Sequence, residues 1–397
     1  MMQRRHLLLA ATGAAALSIP SFALGQAQTT DKRLLAIILR GGMDGLAAMA
    51  PIGDPDYASA RGRLAAERSG ENAVLPLDDT FALHPHLAKM HALYRAGELL
   101  PIHACATAYR DRSHFDGQNV LETGAARPFA RGEGWLNKAL GALPRSRPEM
   151  GVALSAQAPL ILRGAAPVST WSPSVLPDVD DDTIGRLLDL YQARDPALAN
   201  ALNAAMIANS VAADAGASGM NRRGARGQVS SMAQVAARFL NNDAGPIAAV
   251  MDVNGWDTHA NQGPAQGALG RGLSALDDGL DAFKREMGPA WAHTVVIIAT
   301  EFGRTVAPNG ANGTDHGAGA AAFLAGGAVR GGRVLADWPG LQRSALHEGR
   351  DLRPTTDLRG VFKGVLADHF RVPDAALERD AFPDSGSARR IQDLLRA

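Results

Sequence analysis

From Asp31 onward, short apolar runs alternate with helical patterns along the chain. Residues 34–39, 99–104, 151–154, 246–253, 294–299 and 321–325 are each nearly all apolar, with β-branched or long aliphatic side chains. Such runs predict central strands covered on both faces. Between the fourth and fifth runs, Leu269, Leu273, Leu276, Leu280, Phe283 and Met287 recur at spacings of four and three. That period predicts an amphipathic helix whose stripe is core packing rather than a cofactor contact. The alternation as a whole predicts an α/β sheet with helices on both faces.

Two stretches depart from this rhythm. Residues 173–221 are acidic around Asp178 to Asp182 and then Ala-rich, with Leu187, Leu188, Leu190 and Tyr191, and predict a helical insertion or cap. Residues 216–230 are rich in Gly, Ser and Arg and read as an exposed loop. No internal repeat divides the chain, so residues 29–397 are expected to form one domain carrying that insertion.

Residues 1–28 carry Arg4 and Arg5, a mildly apolar stretch broken by Thr12, Gly13 and Pro20, and small residues near Ala23. This is the pattern of a twin-arginine export signal. It is too short and interrupted for the run of about 20 apolar residues that a membrane anchor needs. The expected partner is therefore the twin-arginine export machinery, with a periplasmic or secreted location and no stable membrane anchor.

Composition narrows the chemistry. The 397 residues hold 40 Lys+Arg against 40 Asp+Glu, and no basic run stands out. A partner built on phosphate chains, such as nucleic acid, is excluded on charge. A single cysteine, Cys105, rules out a disulfide framework, a CxxC pair and a Cys-ligated metal. Any metal must be held by His, Asp and Glu. The chain also lacks a complete GxGxxG opening a helix, any GxxxxGK and any GxSxG.

The polar residues of interest stand just beyond the apolar runs. The first run is followed by RGGMDG with Asp44, the second by TAYRDRSHFDGQN with Arg112, Ser113 and His114, and the fourth by NGWDTH with Asp257 and His259. The fifth runs into TEFGRT with Glu301 and Arg304, and the next loop, GTDHG, carries Asp315 and His316. In open α/β sheets ligands bind at the carboxyl ends of the strands, so five separated motifs are expected to meet in one crevice. So many ionisable groups at one edge require a cation. A mixed imidazole and carboxylate set suits zinc, manganese or iron, and carboxylate-rich positions also accept magnesium or calcium.

Each motif also has a plainer reading. Asp44 suits a helix N-cap, Glu301 an ion pair with Arg304, and Asp315 with His316 a solvated turn. Ser113 and His114, being adjacent, face opposite ways in extended chain. His84, His86 and His91 lie in a helical pattern, with His84 flanking its start, and His103 with Cys105 reads as packing.

Taken in order, LRGGMDG, HPHLAKMHALYRAGELLPIHA, YRDRSHFDGQN, NGWDTH, TEFGRT, GTDHGAG, LAGGAVRGGRV and TTDLR resemble the exported family called domain of unknown function 1501 over residues 35–370. That family is similar to the alkaline phosphatase and sulfatase superfamily. The resemblance implies a three-layer α/β/α fold with a two-metal site and a Ser, Thr or formylglycine nucleophile. On the matching positions, Asp257, His259 and His316 resemble the ligands of one metal, zinc or manganese. Asp44 and Glu301 resemble those of a second, magnesium or calcium, and Ser113 the nucleophile. The sequence departs at Glu301-Phe302, where the phosphatase pattern has Asp-His. One imidazole is thus missing, and the second ion is weak or absent, with His114 or Arg304 in its place. Cys105 lacks the sulfatase CxPxR context, so formylglycine is not expected.

The expected function is an exported, metal-dependent hydrolase of small phosphate or sulfate esters. Ser113 or a bound water attacks, and Arg112 or Arg304 holds the non-bridging oxygens. The alternative is a non-catalytic binding or envelope-assembly protein stabilised by metal. A redox enzyme lacks both cysteine ligands and dinucleotide motifs.

Overall fold

The computed structural model describes residues 30–145, 147–173, 181–214 and 225–396. The export signal expected at 1–28 lies outside the described residues. All six predicted strands form and join one eight-stranded sheet. In chain order its strands are β1 (Arg33–Arg40), β2 (Leu99–Ala106), β3 (Gly151–Ala153), β4 (Val168–Thr170), β5 (Ala248–Asn254), β6 (Thr294–Thr300), β7 (Ala320–Ala325) and β8 (Thr356–Asp357). Their spatial order is β8-β2-β7-β6-β1-β5-β3-β4. Every neighbouring pair is parallel except the two made by β7, which runs against β2 and β6.

Alternate residues of each strand feed two separate cores, because successive side chains leave a strand on opposite faces. Leu35, Ile37 and Leu39 of β1 pack with the helices Ala88–Arg95, Ala225–Asn241 and Ala268–Met287 on one side. Leu34, Ala36 and Ile38 pack with Trp135, Leu136, Val361, Phe362 and Val365 on the other. Helices therefore cover both faces of the sheet, which is the three-layer α/β/α arrangement. The predicted stripe from Leu269 to Met287 is fully buried in the first of these cores, each side chain contributing about 1.5–3 kcal/mol of burial.

Within the expected insertion, Asp181–Arg194 and Pro196–Asp214 are helical, and the rest of 173–221 falls largely outside the described residues. The loop expected over 216–230 is corrected at its end. The chain is helical from Ala225, since Val229, Met232, Val235 and Ala236 carry a helical apolar period that the Gly- and Arg-rich composition hides. Among the described residues no helix is long and apolar enough to cross a membrane.

Candidate metal centre

Topology brings five loops to one edge. β1 runs into residues 41–44, β2 into 107–114, β5 into 255–259 and β6 into Glu301. Because β7 is antiparallel, its beginning rather than its end lies at this edge, and the loop before it delivers Asp315 and His316 there. Gly41, at φ +123°, permits a close approach: a Cβ there would stand 2.6 Å from the backbone nitrogen of Asp257. His114 opens the helix His114–Thr123, with Ser113 as its N-cap. His316 is placed by a two-rung antiparallel ladder opposite Arg304.

Three imidazoles and one carboxylate meet there. His114 Nε2 is 3.0 Å from His316 Nε2, and His259 Nε2 is also 3.0 Å from His316 Nε2. Asp257 Oδ1 lies 2.9 Å from His259 Nε2 and 3.2 Å from His316 Nε2, and its Oδ2 lies 3.4 Å from His114 Nε2. His114, Asp257 and His316 thus form a possible metal site, their ligand atoms all within 4.8 Å of one another. His259 joins them.

The far side of each ring decides what the near side offers. His114 Nδ1 faces Glu301 Oε1 at 2.8 Å, His259 Nδ1 faces Asp315 Oδ1 at 3.1 Å, and His316 Nδ1 faces the carbonyl of Arg112 at 2.9 Å. Carboxylates and carbonyls only accept, so with a cation on the Nε2 side each Nδ1 carries the proton and donates. In neutral rings so protonated, His316 Nε2 is a bare lone pair 3.0 Å from the bare Nε2 of His114 and of His259. That contact is repulsive unless a proton or a metal ion sits among them. Tetrahedral ligands about 2.0–2.1 Å from zinc are about 3.3 Å apart, close to the spacings among His114, Asp257 and His316, so these three fit such an ion. Rings anchored through Nδ1 to carboxylate or carbonyl are the usual outer shell of a metal-ligating histidine.

The electrostatics differ from ring to ring. The hydrogen bond to Glu301 raises the His114 pKa against the effect of burial. Burial, with the charges of His114 and Arg304, lowers that of His316. Burial works against charge on Asp257, but Arg304, His259 and His114 outweigh it and hold its carboxyl below the ordinary range. Burial likewise opposes charge on Glu301, which donors from His114, Gln118 and Gly41 overcome.

Other expected site residues stand differently. Asp44 shares the edge but is spent: Oδ1 caps Leu46 and Ala47, and Oδ2 takes Arg61 at 2.5 Å and Gln262 at 2.7 Å. Glu301 and Asp315 stand behind the ligand rings, not among the donors. Among the described residues no second group of ligands forms, and the expected Asp44–Glu301 pairing at a second ion is absent. Arg304 is buried, and its guanidinium is bound to the carbonyls of Gly41, Gly42, Trp256 and Thr314 and to Asp257 Oδ1 at 2.5 Å. It orients Asp257 and is not available to a ligand, which corrects its expected role. Arg112 is held by Asp351 through Nε at 2.8 Å and by the exposed Glu348 through Nη2 at 2.5 Å. Ser113 is half-buried, and its side chain makes no capping bond.

Gln262 was missed in the sequence. Fully buried, it donates to Asp44 while its Oε1 accepts from Thr258 Oγ1 at 2.7 Å and Thr314 Oγ1 at 2.8 Å. It ties the loop of Asp257 and His259 to the loop of His316. A neutral amide in a loop gives no advance signal of such a role.

The sequence pattern of a family described as "Protein of unknown function (DUF1501)" matches residues 31–380. No curated protein matches the chain. Among solved structures, the C-terminal periplasmic domain of EcEptC from Escherichia coli, in complex with Zn, is similar at 7% identity and a TM-score of 0.36, over 75% of this chain and 74% of that one. The phosphonate monoester hydrolase of Agrobacterium radiobacter is similar at 11% identity and a TM-score of 0.32, over 86% of this chain and 74% of that one.

Proposed function

The chain belongs to the family described as protein of unknown function (DUF1501), and we propose that it is an exported, metal-dependent hydrolase of small phosphate or sulfate esters. One observation carries the reading: His114 Nε2, His316 Nε2 and the Asp257 carboxylate converge at one sheet edge with His259 beside them, each ring anchored from behind. His114, Asp257, His259 and His316 would hold the ion, and three imidazoles with one carboxylate suit zinc or manganese. When bound, the metal supplies Lewis acidity at the ester oxygen and neutralises charge that develops there.

The chain's own residues do the rest. Ser113 lies between Arg112 and His114, with its hydroxyl not used as a cap, and is the candidate nucleophile. Asp351 fixes the Arg112 guanidinium from its buried side, while the exposed Glu348 holds the outer nitrogen. An anionic ester displaces Glu348 and takes the bidentate edge of Arg112. Arg304, Glu301 and Asp315 keep the ligands in place. Export rests on Arg4, Arg5 and the apolar stretch that follows.

The test is elemental analysis of the purified protein, followed by aryl phosphate and aryl sulfate assays before and after chelation. One zinc or manganese ion per chain is expected, lost in Asp257→Ala and His316→Ala together with turnover. A metal that is present without turnover on any ester selects the non-catalytic, metal-stabilised binding role. Protein that binds no metal removes the reading.

A further inference from the structure

The helix His114–Thr123 presents His114, Gln118 and Glu122 at intervals of four residues, which places them along one face. Arg40, at the end of β1, meets that face. Its Nη1 donates to Gln118 Oε1 at 3.0 Å and pairs with Glu122 Oε1 at 2.9 Å, while Nε reaches Asp252 Oδ2 at 3.0 Å. Gln118 in turn donates through Nε2 to Glu301 Oε1 at 3.2 Å. That oxygen also accepts from His114 Nδ1 at 2.8 Å and from the Gly41 amide at 2.8 Å. A guanidinium only donates and an ionised carboxylate only accepts, so the Gln118 amide is oriented from both ends.

We propose that Gln118 is a positioning residue for the metal centre. Its amide, oriented by Arg40, holds the Glu301 carboxylate against His114, so that His114 keeps its proton on Nδ1 and turns a bare Nε2 to the ion. The inference rests on the metal-centre reading above. Glu301 is buried and uses Oε2 on Thr300 Oγ1 at 2.9 Å, so its remaining oxygen depends on the three donors just named. Removing the amide donor loosens the carboxylate and with it the His114 ring. The chain of contacts runs from Arg40 on β1 toward the ion through a side chain that hydrogen-bonds to Glu301 and to none of the ligands.

The experiment measures zinc affinity of the full mature chain by competition with a chromophoric chelator, together with the absorption spectrum of the cobalt-substituted protein. Gln118→Met removes the donor at nearly constant volume. It is expected to weaken zinc binding by about 10- to 100-fold, the usual cost of losing an outer-shell partner, and to shift the cobalt bands. Arg40→Met weakens binding less, and the double variant binds no more weakly than Gln118→Met, because both act through one contact. The metal-free melting temperature of each variant serves as the check on folding. Should Gln118→Met fail to fold, Gln118→Leu carries the test, since it lacks the donor and adds no charge beside Glu301. Wild-type affinity and wild-type cobalt bands in a folded Gln118 variant overturn the proposal. A wild-type protein that binds neither ion overturns the metal centre itself, which is a distinguishable result.

Discussion

Asp44 and Glu301 are buried acids at the same sheet edge, and their partners give them different work. Glu301 faces a ligand ring, whereas Asp44 faces Arg61, two helix amides and Gln262. Through Gln262, Asp44 governs the spacing of the two ligand loops. Gln262→Leu strands the hydroxyls of Thr258 and Thr314 without their acceptor, and unsatisfied buried groups cost about 1–3 kcal/mol each. Urea unfolding of the metal-free variant is expected to show a loss of about 2–4 kcal/mol, with weaker zinc binding alongside. Unchanged stability would mean that the loops hold their spacing by other contacts. Glu348 makes the opposite case. It is an exposed carboxylate resting on Arg112, so Glu348→Gln is expected to improve inhibition by inorganic phosphate several-fold. Inhibition no better than wild type would place the anion elsewhere than Arg112.

At the scale of elements, the antiparallel β7 matters most. A parallel strand in its place would send the 313–317 loop to the opposite edge, away from Asp257. The close seating of that loop is set by Gly313, where a Cβ would stand 2.2 Å from the His259 carbonyl oxygen. Gly313→Ala therefore forces the His259 and His316 loops apart, and loss of zinc from an otherwise folded chain is expected in elemental analysis. The elements were legible where burial is continuous. Runs such as Leu34 to Leu39 or Val295 to Ala299 could be nothing but interior strands, and the Leu269 to Met287 stripe is a plain helical period. The edge strands Val168–Thr170 and Thr356–Asp357 escaped notice because two or three partly polar residues carry no period. For the site, position after a strand picks out loops that meet at one edge but not the direction of each side chain. His114 carries no such signal: Ser113 keeps the extended backbone expected of it, and it is the helix beginning at His114 that sets the direction of the imidazole. Arg304 looked free because the carbonyls that bind it leave no mark in a sequence.

Over the whole molecule, buried histidines make folding depend on pH. His84, His103 and His369 are pushed down to about 4 by burial. His103 shows why: its Nδ1 accepts from the Ala104 amide at 2.7 Å, its Nε2 donates to the Met49 carbonyl at 3.0 Å, and its ring stacks on Phe81. The neutral ring satisfies both nitrogens, and a second proton has nowhere to bond. In the unfolded chain these histidines titrate near 6.5. Their contribution is complete above that value and is lost as pH falls from about 6.5 to about 4, because the unfolded state takes up protons that the fold refuses. Asp277 works the other way. Burial raises it to about 6 despite amide donors from Lys89 and Met90, so the fold holds a proton that the unfolded chain has released, and acidification from 6 to 4 stabilises it. Near pH 5, three protons on one side against one on the other leave a net two, a slope of about 2–3 kcal/mol per pH unit. Urea midpoints of the metal-free protein are therefore expected to fall steeply between pH 6 and 4.5, and His103→Asn is expected to remove about one proton from that slope. A profile flat across this interval in the wild-type protein would show that the three rings are charged or exposed in solution, contrary to the packing around His103.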